Sequence, residues 1–176
     1  MMIGVPGSGK STWIAQHNTA GTMVASSDAF IDARAAEQNK TYNDVFKSQI
    51  KAATNYAQSV AKQAFDLNLD LIWDQTNVSR QSRAAKLAMV PDHYEKIAVF
   101  FPTPSEDELQ RRLASRPGKS IPNNIIMAMA SSLEKPSTDE GFDRIIIANC
   151  FAVDRTEITR IIRKHGGCYA YRTADR

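Results

Sequence analysis

Residues 1–12 read MMIGVPGSGKST, a short apolar stretch followed by a glycine-rich loop that ends in lysine, serine and threonine. The loop fits the pattern G-x-x-x-x-G-K-[ST], in which glycines let backbone N–H groups close around phosphate oxygens. The stretch STWIAQH overlaps its end and predicts a helix, whose N-terminus adds a positive dipole. A strand, this loop and a helix in succession predict a phosphate-binding loop, or P-loop, at the start of an α/β domain.

The loop residues have distinct predicted roles in holding a nucleoside triphosphate. The Lys10 ammonium is expected to reach the outer phosphates, and the Ser11 hydroxyl is expected to ligate Mg²⁺. The predicted ATP-binding residues are Gly4, Pro6, Gly7, Ser8, Gly9, Lys10, Ser11 and Thr12. ATP and Mg²⁺ are therefore the expected cofactors.

Apolar runs alternate with helical patterns along the rest of the chain. The five candidate strands are Met1–Val5, TMVASS (22–27), LDLIWD (69–74), KIAVFF (96–101) and RIIIANC (144–150). Nearly continuous apolar strands separated by helices indicate a parallel sheet that is covered on both faces. We therefore expect a five-stranded, mostly parallel sheet with helices on both faces, and ligands at the carboxyl ends of its strands.

Three features predict individual helices. Ser105 with Glu108 matches a capping box, and Pro122 suits a first helical turn. The segment 42–65 repeats apolar residues with a period near 3.6, so these residues are expected to share one buried face. They are Val45, Phe46, Ile50, Ala53, Tyr56, Ala57, Val60, Ala61 and Ala64.

Length and composition limit the class of protein. The 176 residues, with 43% hydrophobic content, predict a single domain over residues 1–176. No apolar run approaches the roughly 18 residues that span a membrane, so we expect a cytoplasmic protein without a membrane partner.

Residues 151–176 form a basic tail that is predicted to be helical. Its charge suits either an anionic partner or a solvated helix face.

Two aspartates follow predicted strands, at the edge where ligands are expected. Asp74 closes the third strand, where P-loop proteins hold a carboxylate associated with Mg²⁺. Gln75 follows it where hydrolytic motors usually carry a glutamate that activates water, which favours transfer over hydrolysis. Asp28 lies just beyond the second strand and is either the base that takes a proton from an acceptor hydroxyl or a helix N-cap.

The segment ELQRRLASRPGKSIP (108–122) is predicted to be a helical lid over the triphosphate. Arg112 and Arg116 are four residues apart, so a helix points both guanidinium groups in one direction. Such a pair clamps the charge that spreads over the phosphoryl oxygens during transfer. An exposed basic helix end is the alternative interpretation. Together with the P-loop, this lid predicts a P-loop kinase fold.

Five motifs in order resemble the polynucleotide kinases that phosphorylate 5′-hydroxyl ends, in both phage and animal DNA-repair forms. They are GVPGSGKSTW, the aspartate of SSDAF, DQTNVSRQSR, the arginine-bearing segment that ends in IP, and PSTDEGFDRI. The resemblance implies transfer of the γ-phosphate of ATP to a nucleic-acid hydroxyl. It also implies that Asp28 is the general base, that Lys10, Arg112 and Arg116 are catalytic, and that Ser11 and Asp74 belong to the metal site.

The acceptor side departs from this pattern, because Ile31 stands where phage-type members carry an arginine that holds the acceptor phosphate. Arg34, one helical turn further on, and Asn77 are the candidate acceptor-binding residues, and DNA or RNA is the expected partner. Three alternatives stay open. They are a kinase for the hydroxymethyl group of a modified base such as 5-hydroxymethyluracil in phage DNA, a small-molecule P-loop kinase, and an RNA-binding module without activity.

Overall fold

The computed structural model describes residues 1–116, 118–148 and 170–172. The strands are β1 (Met2–Ile3), β2 (Thr22–Ser26), β3 (Asp70–Asp74), β4 (Tyr94–Phe100), β5 (Arg144–Ile147) and β6 (Ala170–Arg172). The helices are α1 (Lys10–His17), α2 (Ser27–Glu37), α3 (Tyr42–Asp66), α4 (Arg80–Leu87), α5 (Glu106–Ala114) and α6 (Asn123–Ser131), with a 3₁₀ turn at Thr138–Glu140. Among these described elements, no helix combines the length and apolar character needed to cross a bilayer.

All five predicted strands form, but they do not pair into one sheet. The main sheet has the order β1-β4-β5, all parallel, and β6 pairs antiparallel with β4. Strands β2 and β3 form a separate parallel pair. The prediction of a single five-stranded sheet is therefore wrong, since the main sheet has only three parallel strands.

The two sheets lie side by side where β1 adjoins β3. β1 has only two residues, which leaves little backbone for a ladder to a second neighbour. Two other hydrogen bonds join these chain segments instead. The Gly4 N–H donates to the Thr76 carbonyl at 2.9 Å, and the Asn77 side-chain amide donates to the Met2 carbonyl at 2.6 Å.

Side chains from alternate strand positions enter two different hydrophobic clusters. Ile3, Leu71 and Trp73 pack with residues of α3, whereas Met2 and Ile72 pack with residues of α1. Because successive side chains of a strand point to opposite faces, the helices cover both faces of the strands. The α/β architecture with helices on both faces is confirmed.

Helix α3 buries less of its apolar face than its periodicity predicts. Val45, Ala53 and the alanines toward its C-terminus are buried. Phe46 and Ile50 remain 41% and 36% exposed, and Tyr56 is also exposed. The predicted burial of these three residues is wrong, because α2 and the strands pack along only part of the α3 surface.

The capping box predicted at the start of α5 does not form. Ser105 is the N-cap residue but makes no side-chain capping bond, and Glu108 instead accepts hydrogen bonds from Arg111 and Arg112. Pro122 is the residue just before α6 rather than a member of its first turn.

The predicted helical tail lies largely outside the described residues. The exception is Ala170–Arg172, which forms a strand, so helix is the wrong prediction for these three residues.

Candidate active site

A cavity of about 1210 Å³ opens at the carboxyl ends of the parallel strands. Its lining includes the P-loop after β1, Asp28 after β2, Asp74 at the end of β3, and Phe101 and Ala148 just after β4 and β5. Residues of α5, α6 and their connection line the opposite side. The strand ends and the predicted lid therefore enclose one site, as expected for an open α/β sheet.

The P-loop depends on glycine at positions where the chain turns closely. A Cβ on Gly4 would lie 2.9 Å from the Cβ of Phe101, which is closer than carbon atoms approach without rearrangement. Gly9 caps α1 with a φ of 105°, in the left-handed region that favours glycine. This tight backbone directs the start of α1 at the cavity, which suits an anion such as a phosphate group.

Six of the eight predicted ATP-binding residues line the cavity, and Gly4 and Ser8 form the loop behind them. The six are Pro6, Gly7, Gly9, Lys10, Ser11 and Thr12. The Lys10 Nζ donates to the carbonyls of Gly4 and Val5, each at 2.9 Å. Burial lowers the pKa of Lys10 to about 8. An anion beside this ammonium would stabilise its charged form.

The Asp74 carboxylate lies within the cavity near the P-loop lysine. It accepts a hydrogen bond from the Ser26 hydroxyl at 3.3 Å. Burial raises the pKa of Asp74, and the positive charge of Lys10 opposes that effect. A buried carboxylate is stabilised by a nearby cation, since burial disfavours its charged form.

The Ser11 hydroxyl and the Asp74 carboxylate supply the hard oxygen ligands that Mg²⁺ prefers. Across residues 1–116, 118–148 and 170–172, no group of three or more His, Cys, Asp or Glu side chains forms a cage for a metal. Mg²⁺ in phosphoryl-transfer sites is usually held by one or two protein ligands together with substrate phosphates. The donor set therefore fits Mg²⁺ bound with a nucleotide.

Asp28 belongs to the first turn of α2 and does not cap it. The N-cap is Ser26, whose hydroxyl accepts from the Ala29 N–H at 3.3 Å. The Asp28 carboxylate accepts from the Tyr42 hydroxyl at 2.7 Å and from the Lys119 ammonium at 2.7 Å. Its side chain is 53% exposed and faces the cavity. The N-cap interpretation of Asp28 is wrong.

The surroundings of Asp28 favour its ionised form. Burial alone raises the pKa of Asp28, but hydrogen bonds from Lys119 and Tyr42 and the positive charge of Lys119 outweigh burial and hold this pKa below its usual value. Burial and the neighbouring carboxylate raise the pKa of Tyr42, which remains a hydrogen-bond donor. At neutral pH the cavity therefore presents a carboxylate that is able to accept a proton.

Both predicted lid arginines line the cavity, but they differ in their contacts. Arg112 donates to Glu108 at 2.6 Å and to the Gly7 carbonyl at 3.3 Å, which holds α5 against the P-loop. The Arg116 guanidinium makes no side-chain hydrogen bond or ion pair within the part of the chain that the structure describes. Arg116 is therefore available to a phosphate in the cavity.

The two predicted acceptor-binding residues lie away from the cavity. Arg34 pairs with Glu37 at 2.7 Å and stacks over the ring of Phe30. Asn77 is only 2% exposed, and its side chain joins the chain segments of β1 and β3. Ile31, at the position of the missing family arginine, is buried in the core between α2 and α3.

The contacts of Asp28 with Tyr42 and Lys119 were not predicted from the sequence. Tyr42 begins α3, and Lys119 follows 91 residues after its partner Asp28. The only sequence signal for Lys119 is its place in a basic segment after the fourth strand. The exposed Phe46 and Ile50 also line the cavity, although their apolar periodicity predicted burial, and the exposed Ile125 lines it too.

The chain matches the family model AAA_33, described as an AAA domain, over residues 1–136. The chain belongs to the AAA_33 family. This family assignment agrees with the P-loop and the α/β architecture, and it covers every predicted catalytic residue. The matched range ends before the 3₁₀ turn and β5.

Two curated relatives of this AAA_33 chain are guanylate kinases. One, from Shewanella sp. (strain MR-7), is 30% identical over 129 residues, which cover 72% of this chain and 57% of the relative. The other, from Shewanella oneidensis, is 29% identical over 120 residues, which cover 68% and 53%. The chain thus spans little more than half the length of these relatives. These similarities support a P-loop domain of kinase type.

Proposed function

We propose that this chain transfers the γ-phosphate of ATP to a hydroxyl group of a nucleic acid, with the 5′-hydroxyl end of DNA or RNA as the first candidate acceptor. The observation that carries the proposal is the Asp28 carboxylate. It lies in the same cavity as the P-loop, is held by Tyr42 and Lys119, and has no capping role in its helix.

The size of the cavity supports a reaction between two substrates. Pockets for a single small ligand usually measure roughly 300–1,000 Å³. The cavity here, at about 1210 Å³, extends from the P-loop past Asp28 to α3 and α6. One end is suited to ATP phosphates, which leaves the region beyond Asp28 for an acceptor.

The residues divide the transfer step between donor and acceptor. Mg²⁺, when bound by Ser11 and Asp74 with the nucleotide, supplies positive charge beside the phosphates. Lys10 and Arg116 stabilise negative charge on the transferring group, which is where such charge develops. The oxygen of the acceptor hydroxyl forms a bond to the γ-phosphorus of ATP, and the hydroxyl proton passes to the Asp28 carboxylate. The bond between the γ-phosphorus and the leaving ADP oxygen breaks in the same step. Asp28 later releases the proton to water.

The wall beyond Asp28 supports an acceptor with an apolar planar part. Phe46 and Ile50 of α3 and Ile125 of α6 line the same cavity, and all three side chains are exposed. The ring of Phe46 lies 5.5 Å from the ring of Tyr42, which contacts Asp28. Aromatic surfaces of this kind stack with nucleobases without selecting their sequence.

A nucleotide kinase is the second candidate, because the relatives are guanylate kinases. The acceptor of such an enzyme is a phosphate oxygen, which is already ionised and needs no base. Asp28 is held ionised in the cavity, where it is able to accept a proton that a hydroxyl acceptor carries and an ionised phosphate oxygen lacks. This carboxylate therefore favours a hydroxyl acceptor.

Transfer of label from γ-labelled ATP to a panel of acceptors tests the proposal. The panel contains DNA and RNA oligonucleotides with 5′-hydroxyl ends, the same oligonucleotides with 5′-phosphate ends, and 5′-phosphorylated duplex DNA containing 5-hydroxymethyluracil. It also contains GMP, AMP, a nucleoside set and a sample without acceptor. We expect label on the 5′-hydroxyl oligonucleotides and none on their 5′-phosphorylated counterparts.

Other outcomes identify the alternatives. Label on GMP or AMP alone would indicate a nucleotide kinase, and label on the modified duplex alone would indicate a kinase for the hydroxymethyl base. ATP consumption without label on any nucleic acid would contradict the proposal.

A further inference from the structure

Lys119 and Ser120, which lie between α5 and α6, contact the acceptor side of the cavity at two points. The Lys119 Nζ lies 2.7 Å from Asp28 Oδ2, and it lies 3.8 Å from the centre of the Tyr42 ring. Ser120 exchanges two hydrogen bonds with the Asn43 side chain, at 2.8 Å and 3.2 Å. Asp28 of α2 and Tyr42 and Asn43 of α3 are thus the three residues that join this connection to the starts of the two helices.

The contact between Lys119 and Asp28 differs from an ordinary surface ion pair. The Lys119 side chain is only 11% exposed, because it lies between a carboxylate and an aromatic ring. Exposed ion pairs contribute little to stability, since both side chains lose conformational freedom and solvent screens their charges. Lysine is also among the residues that are rarely buried without a partner. This lysine is therefore held in a defined position.

The two partners of Asp28 hold it from different sides. Tyr42 donates to Oδ1, whereas Lys119 donates to Oδ2. Two donors on different oxygens fix the rotation of a carboxylate, and each oxygen keeps a second lone pair for another hydrogen bond. The exposed side of Asp28 thus remains available to an acceptor hydroxyl in a fixed orientation.

We propose that Lys119 is a positioning residue for the general base, which it aligns and keeps ionised through the direct contact of its Nζ with Asp28 Oδ2. This inference rests on the proposed function, because it assigns Asp28 the role of proton acceptor. Lys119 keeps its hydrogen bond to Oδ2 while the acceptor hydroxyl transfers its proton to Asp28. The connection between α5 and α6 thereby contributes to both substrates, through Arg116 on the donor side and Lys119 on the acceptor side.

The pH dependence of the reaction distinguishes this role from a merely structural one. The charged and titratable groups around Asp28 are Tyr42 and Lys119 in direct contact and Lys10, Asp32, Asp74 and Arg116 further away. Lys119 lowers the pKa of Asp28, so its removal raises this pKa. Because the base must be ionised, the acid limb of the kcat profile then moves to higher pH.

The test compares Lys119→Met with Lys119→Arg and Asn43→Ala in the full chain. Lys119→Met keeps the length of the side chain but removes its charge, and we expect kcat to fall about 10-fold, as for a lost hydrogen bond to a charged group. The acid limb should move to higher pH, while the KM for ATP stays unchanged. Lys119→Arg keeps the positive charge, so this variant should retain most of the parental kcat and an acid limb close to that of the parent. Asn43→Ala, which removes only the Ser120 contacts, should leave the acid limb in place.

A second measurement needs no acceptor and no activity. The carboxyl ¹³C signal of Asp28, followed against pH, should titrate at higher pH in Lys119→Met than in the parent. Lys119→Gln provides a second neutral variant if the methionine variant does not fold. An unchanged Asp28 titration, or an equal shift of the acid limb in Asn43→Ala, overturns the inference. A parent protein that labels no nucleic acid overturns the proposed function instead.

Discussion

The donor half and the acceptor half of the cavity are built in different ways. The donor half consists mainly of residues 4–12, and the contacts of Lys10 reach back only five and six residues. The acceptor half brings Asp28 together with Tyr42 and with Lys119, which is 91 residues away. A local turn determines the first arrangement, whereas the second requires the packed fold.

This difference has a functional consequence. The donor half serves a constant group, the phosphates of ATP, and a compact backbone loop is sufficient to bind them. The acceptor half must fit a variable substrate, and its side chains come from α2, α3 and the segment before α6. Substitutions in the donor half are therefore expected to affect every acceptor equally, whereas those in the acceptor half are expected to change acceptor use.

The largest effect is expected for Lys10→Ala. It removes a buried positive charge next to the transferring phosphate, and kcat should fall about 10³-fold with every acceptor. Steady-state kinetics with saturating ATP measures the change. Lys62→Ala is the matched control, because Lys62 pairs with Asp66 on the exposed end of α3. If the Lys10 variant kept the parental kcat, the donor half would not have the role in transfer that distinguishes it from the acceptor half.

Asp28→Asn is expected to lower kcat about 10²-fold, the usual contribution of a positioned proton acceptor. The amide is unable to take the proton, but its oxygen still accepts a hydrogen bond from Tyr42 or Lys119. The melting temperature and the KM for ATP should stay close to those of the parent, because Ser26 caps α2. Near-parental turnover in a folded variant would leave Asp28 without its assigned role.

Arg116→Ala is expected to lower kcat about 10-fold, as for one lost hydrogen bond to a charged group. This loss is smaller than that of Lys10 because Arg112 also lines the cavity. Arg111→Ala is the control, since Arg111 is exposed and pairs with Glu108. Equal kinetic losses in both variants would indicate a general effect on the segment 111–116 rather than contact with phosphate.

Phe46→Ala is expected to give the smallest effect. It should nevertheless distinguish the two halves clearly, because it is expected to change the KM for the acceptor and not the KM for ATP. We expect a loss at the lower end of the range of about 1–3 kcal/mol for one stacking contact, so the KM for an oligonucleotide should rise about 5-fold. The KM for ATP should not change. Leu67→Ala offers a control, because Leu67 is exposed but lies outside the cavity lining. If the KM for ATP rose and the KM for the oligonucleotide did not change, Phe46 would contact ATP rather than the acceptor.

Sequence alone predicted the features that depend on short-range patterns. The P-loop, the five strands and the long α3 helix follow from glycine spacing, apolar runs and a 3.6-residue period, all of which act within a few residues. The positions of Asp28 and Asp74 at one edge follow from the geometry of parallel strands, whose carboxyl ends meet there.

Tertiary structure decided which partner each polar side chain takes. Glu108 binds Arg112 instead of capping α5, Asn77 is buried between strands, and Lys119 reaches Asp28. Each of these side chains has several possible partners, and the choice depends on distances that exist only after the helices have packed. Ile31 is buried and Phe46 is exposed, although both side chains are apolar. Their burial depends on which elements pack against them, and the sequence does not show this.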